Sequence, residues 1–257
     1  NFLTGLVIVL ALHAGATAFF TDQITGFAPE FALEGEDGLM EGDLLYKIDG
    51  YRTYLWGDAS LFLSYHRGDT IDLEVIRDGE KIVLEDFPLT RQTYTGTDGE
   101  SYTGFGLYIG ARPVEGTFLT WLQYSWYQTV AFVQLVWFSL VQLFTGGASV
   151  QDLSGPVGIV STITQVGAAA ETASIAWRQI FYFAALLAVN LAVMNLLPIP
   201  ALDGGRIFFL LVDAVALLLF KRRVPEKYQA AVNTVGFVVL MGFMLLVTLQ
   251  DVWKLIR

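Results

Sequence analysis

The sequence predicts a polytopic α-helical membrane protein with an inserted mixed α/β domain facing the extracytoplasmic side. Three observations predict it. The 257 residues are 54% hydrophobic and only 16% charged, oilier than a soluble domain of this size. The charge is concentrated: Thr21 to Arg112 holds 18 acidic and 7 basic residues, a net of −11, and the rest holds 7 and 8. Four stretches carry no charge at all: Asn1–Phe20, Gly116–Gln151, Gln179–Leu202 and Tyr228–Gln250. An acidic, water-facing insert in an apolar chain excludes nucleic acid as a partner, because no basic stripe exists and the insert would repel phosphate. Without cysteine there is no disulfide and no Cys-type zinc site.

The elements follow in order. Residues 1–21 are expected to form a transmembrane helix, about the length a bilayer core requires. The chain opens on Asn in the middle of an apolar run, with no n-region or cleavage site, which reads as a truncated start and not as a signal peptide. Residues 26–112 form the α/β domain. "GDLLYKIDG" is a strand and turn, "GDASLFLSYHRGD" has helical spacing at Leu61, Phe62 and Tyr65, and "TIDLEVIRDGEKIVLEDFPL" is a hairpin around Asp78-Gly79. Residues 113–152 are expected to be an amphipathic helical region lying at the membrane interface. Gln123, Gln128, Gln134 and Gln142 with Trp121, Trp126 and Trp137 suit that depth. Residues 153–220 form the membrane core, and 228–250 a C-terminal transmembrane helix. The basic cluster "KRRVPEK", Lys221 to Lys227, belongs in the cytoplasm by the positive-inside rule. Three spans then leave the acidic domain outside.

The core contains "NLLPIPALDGG", Asn195 to Gly205. Pro198 and Pro200 lack N–H donors and disfavour helix at the residues before them, so the helix must unwind here. Unwound backbone at membrane depth has to be buried in protein or line a wet cavity. Asp203 follows, a costly residue in a bilayer unless partnered by a cation, a proton or Arg206. Its plain reading is a helix end at the interface; its functional reading is an ion or metal ligand in a cavity. Asn190 and Asn195, just before the break, offer amides to exposed backbone, the protein's own or a substrate's.

These residues resemble the Asn-x-x-Pro-x-Pro-x-Leu-Asp-Gly motif of site-2-type intramembrane zinc proteases, the RseP-like regulators of sigma-factor signalling. "LSGPVGI", Leu153 to Ile159, is similar to a second family element, and Asn1-Phe2 to the tail of a third. The inserted domain, through "GLMEGDLLYKIDG" and "IDLEVIRDGEKIVL", resembles a bacterial PDZ domain, although Asp37-Gly38-Leu39 stands where Ala-Gly-Leu is usual. A PDZ-like fold implies an extended peptide added as a strand to a sheet edge; a spacer or filter without peptide affinity is the other reading.

The resemblance implies a zinc metalloendopeptidase acting in regulated intramembrane proteolysis of single-span membrane proteins of the anti-sigma-factor kind, in a bacterial plasma (inner) membrane. It implies that Asp203 is a zinc ligand and that Asn190, Asn195, Pro198 and Pro200 form the substrate-binding region. The family's other two ligands and general base come from a His-Glu-x-x-His that this sequence does not contain; its histidines are His13 and His66. In the family the zinc polarises the scissile carbonyl and activates water, and the Glu takes its proton. No catalytic residue is therefore expected within the 257 residues, and the chain alone is expected to be an inactive fragment. A proteolytically inactive, membrane-anchored PDZ scaffold is the alternative. A transporter would show a second copy of the broken-helix pattern, and there is none.

Overall fold

The computed structural model describes residues 1–95, 101–147, 155–221 and 225–256. The described residues form two compact units, His13–Gln134, and Asn1–Leu12 with Leu135–Arg257. Leu153, Ser154 and the stretch from Arg222 to Val224, parts of "LSGPVGI" and "KRRVPEK", lie outside the described residues.

The first unit is an antiparallel sheet with one short helix packed on it. Its strands are β1 (Ala18–Phe27), β2 (Leu44–Ile48), β3 (Tyr51–Arg52), β4 (Ile71–Arg77), β5 (Glu80–Phe87) and β8 (Leu107–Glu115), in the order β5-β4-β2-β1-β8 with β3 on β2. β6 (Gln92–Thr95) and β7 (Ser101–Gly104) make a separate hairpin. Both predicted turns are present. Asp49-Gly50 and Asp78-Gly79 take left-handed φ angles of 47° and 83°, and 51° and 87°, the pairing a two-residue hairpin turn requires. Helix α2 (Asp58–Tyr65) buries Ala59, Phe62 and Leu63; of the three positions with helical spacing in the sequence, Phe62 is buried, Leu61 half-buried and Tyr65 exposed. The core is Ile24, Leu39, Ile48, Ile71, Leu73 and Val75, each at most 1% exposed.

Carboxylates hold this unit together at two places. Asp22 on β1 accepts hydrogen bonds from the Gly57 and Ala59 N–H groups at the start of α2 (2.9 and 2.8 Å), and Asp58 Oδ2 accepts from Tyr54 and Leu55 (2.8 and 3.0 Å). Burial pushes both carboxyls above their ordinary range, against the lowering effect of those bonds. Arg77 binds Asp43 bidentately, at 2.8 Å to each oxygen, and also reaches the carbonyls of Glu36 and Gly38. This pins the segment between β1 and β2. Gly38 is required there, since a Cβ would lie 2.2 Å from the Leu33 carbonyl oxygen.

Two boundaries differ from the sequence expectation. The helix expected over 1–21 is α1 (Phe2–His13). The helix ends at His13 and not near residue 21, and Ala18 onward is strand. The sheet therefore runs from Ala18 to Glu115, wider than 26–112, with its first and last strands paired along their length.

Helix α3 (Phe118–Thr145) is helical as expected. Its first half belongs to the sheet unit. Ser125, Gln128 and Thr129 are buried, Tyr124 stacks on Phe19 at 4.8 Å, and Gln134 both accepts from and donates to the Arg52 backbone (3.1 and 2.7 Å). These polar residues meet protein. His13 is used in the same packing, bonded to Ser125 (3.1 Å) and edge-on to Phe19. His66 pairs with Asp49 at 2.7 Å in the sheet unit.

The second unit is helical: α4 (Pro156–Ala169), α5 (Ala173–Leu196), α6 (Asp203–Phe220) and α7 (Glu226–Ile256), with α1. Gly5 lets α1 approach α5; a Cβ there would lie 2.6 Å from Val189, the small-residue contact typical of helices in lipid. Among the described residues three helices are long and apolar enough to cross a membrane: α3, α5 and α7. The chain is an integral membrane protein.

Candidate functional site

The site is the junction of α5 and α6. Helix α5 ends at Leu196, and the Leu197 cap is extended with φ −64° and ψ 144°, as the following Pro198 demands. Helix α6 restarts at Asp203. The prolines therefore break the helix where their chemistry requires. Between the helices each available N–H finds an acceptor: Leu197 donates to Met194, Ile199 to Leu197 and Leu202 to Ile199. Ala201 donates to the Asn233 side chain on α7 at 3.2 Å. Ala201 has φ 74°, the left-handed region that a residue with a Cβ enters at a cost.

Glycines bring the pieces together. A Cβ on Gly204 would lie 2.2 Å from the Leu197 oxygen and 2.4 Å from the Leu196 oxygen, and one on Gly205 2.3 Å from the Ile199 oxygen. The start of α6 thus rests directly on the carbonyls of the break. From the other side Gly236 of α7 approaches Pro200, where a Cβ would come within 2.4 Å of the ring. An apolar groove of about 510 Å³ lies beside the break, lined among others by Ile199, Pro200, Val235, Gly236 and Phe243.

Asp203 occupies the first turn of α6 and is exposed. Its neighbour Arg206, the rival partner, forms no ion pair with it among the described residues. Asn190 and Asn195 are both half-buried on α5. Five positions along a helix turn about 140° away from each other, so the two amides do not share a face. Pro198 is exposed and Pro200 half-buried.

A catalytic zinc needs three protein ligands and an open position. Among the described residues no three His, Cys, Asp or Glu side chains come together. Asp203 offers one carboxylate, facing outward, and the described residues do not complete a site. Asn233, Gly236 and Asp251 were not singled out from the sequence. An Asn followed three residues later by Gly, in an uncharged helix, was the available signal for the first two.

The model of peptidase family M50 matches residues 1–243. A Clostridium perfringens protein provisionally named a zinc metalloprotease is 32% identical over 253 residues, covering 98% of this chain and 70% of its own length. The zinc metalloprotease RasP of Shouchella clausii is 31% identical over 265 residues, 99% of this chain and 57% of its own. The regulator of sigma-W protease RasP of Bacillus subtilis is 31% identical over 255 residues, with the same coverage. The chain thus spans little more than half the length of the two RasP proteins. With the broken helix and its aspartate in place, the chain belongs to peptidase family M50, the site-2-type zinc metalloproteases.

Proposed function

We propose that this chain is the part of an intramembrane zinc metalloendopeptidase that presents one metal ligand and the substrate-facing break. The observation that carries the proposal is Asp203, exposed at the first turn of α6, directly after backbone unwound by Pro198 and Pro200. In this reading Asp203 is one zinc ligand, and the others come from residues outside the 257. Asn190, Asn195, Pro198 and Pro200 form the substrate-binding region, and the apolar groove beside Pro200 suits an apolar segment. The substrate class is a single-span membrane protein of the anti-sigma-factor kind, in keeping with the sigma-W regulator among the relatives.

The domain layout belongs to the same proposal. The sheet unit is a PDZ-like domain on the extracytoplasmic face of the plasma membrane, with "KRRVPEK" in the cytoplasm. Its antiparallel sheet, single helix and edge strand β8 support a peptide added as a strand. Residues 113–152 lie along the membrane surface, a reading supported by the packing of the first half of α3 on the sheet unit. The length of α3 favours a crossing instead. A cysteine scan with a water-soluble thiol probe separates the two: labelling along one face supports the surface placement, and full protection of the helix overturns it.

The function itself is tested by replacing Asp203 with Asn in the full-length protein. Loss of zinc and of cleavage with the fold retained supports the proposal. Undiminished cleavage overturns it. No cleavage and no zinc in the unsubstituted full-length protein would leave the inactive scaffold.

A further inference from the structure

We propose that Asn233 is a positioning residue that sets the placement of Asp203 through Ala201. Three observations carry this. Ala201 holds φ 74°, a conformation that glycine adopts freely and alanine does not. Its N–H is satisfied from a different helix, by Asn233 Oδ1 at 3.2 Å across 32 residues. One helical turn beyond, Gly236 seats α7 against Pro200 with no room for a Cβ. Helix α7 therefore grips the break at two consecutive points, and Asp203 begins two residues after the gripped N–H.

Without the Asn233 acceptor, the Ala201 N–H loses its protein partner, and nothing offsets the unfavourable φ. The segment then relaxes toward ordinary backbone angles, and α6 starts in another register or direction. Among the described residues the amide of Asn233 bonds to Ala201 and not to Asp203, so it acts through Ala201. That this placement matters for cleavage rests on the assignment of Asp203 as a metal ligand. The brace itself does not.

The test uses the full-length protein in detergent with a zinc chelator, with Asp203→Cys as the reporter and any cysteine outside the 257 residues replaced. The labelling rate of the introduced thiol by a water-soluble maleimide is compared across variants. Asn233→Leu keeps the volume and removes the acceptor; it should change the rate by about fivefold, the population shift of one lost hydrogen bond. Adding Ala201→Gly removes the cost of the left-handed angle and should return the rate to within about twofold of the parent. An unchanged rate in Asn233→Leu, or a changed one that Ala201→Gly does not restore, overturns the proposal. A second arm measures cleavage by the full-length protein. If Asp203→Asn cleaves normally, the metal-ligand reading fails and the labelling result stands. If Asp203→Asn abolishes cleavage and Asn233→Leu leaves kcat untouched, the positioning role fails alone.

Discussion

The carboxylate of Asp251 on α7 accepts a hydrogen bond from the Gly158 N–H in the first turn of α4, at 2.8 Å. Asp251 is 3% exposed. Gly155 and Gly158 flank it so closely that a Cβ on either would lie 2.9–3.0 Å from its oxygens. Pro156 opens the helix without wasting a donor. The described part of "LSGPVGI" is thus a helix N-terminus shaped for a carboxylate. Gly158→Ala should lower the thermal midpoint of the membrane unit, a loss of about 1–3 kcal/mol for overpacking. Asp251→Asn keeps an acceptor and should cost less. Differential scanning in detergent checks both, and a Gly158→Ala protein as stable as the parent would contradict the contact.

A second pair of substitutions separates crowded from open glycine. Gly242 on α7 has no atom within 4 Å of a built Cβ, whereas Gly204 meets two carbonyl oxygens. Gly242→Ala should stabilise by up to about 1 kcal/mol through helix propensity alone. Gly204→Ala should destabilise in spite of the same propensity gain, because backbone at the break must move. The two midpoints shifting in the same direction would contradict the packing of α6 on Leu196 and Leu197.

The sheet unit should report acid titration through Asp58. Burial raises its carboxyl above the value in the unfolded chain. The folded state therefore holds the proton more tightly, and this stabilisation is full below about pH 4 and lost as pH rises through the folded value. Asp58→Asn keeps both backbone bonds, since both go to one oxygen. The midpoint of the variant should gain on the parent as pH rises from about 4. A constant difference across that range would show that Asp58 does not titrate with folding.

The break between α5 and α6 was legible because proline acts locally: Pro198 and Pro200 exclude helix whatever surrounds them. The Asp49-Gly50 and Asp78-Gly79 turns were legible for a similar reason, since few residue pairs accept two left-handed angles. The end of α1 was not. Ala18, Phe19 and Phe20 continue its apolar run into β1, and a short apolar run does not distinguish helix from strand. The glutamines of α3 suggested a headgroup environment, but an amide is satisfied equally well by protein, and Gln134 finds the Arg52 backbone. Asn233 was invisible because its partner, Ala201, comes close only once α7 has packed on the break. The position of Asp203 was legible; what surrounds it was not.

Asp203 is proposed as a metal ligand and not a helix-end charge. The most direct measurement is zinc content by elemental analysis of the full-length protein and its Asp203→Asn variant, with the folded fraction measured alongside. A zinc-ligating Asp203 predicts near-stoichiometric zinc in the parent and a loss of about tenfold or more in affinity in the variant, at unchanged folded fraction. Equal zinc in both proteins would contradict it.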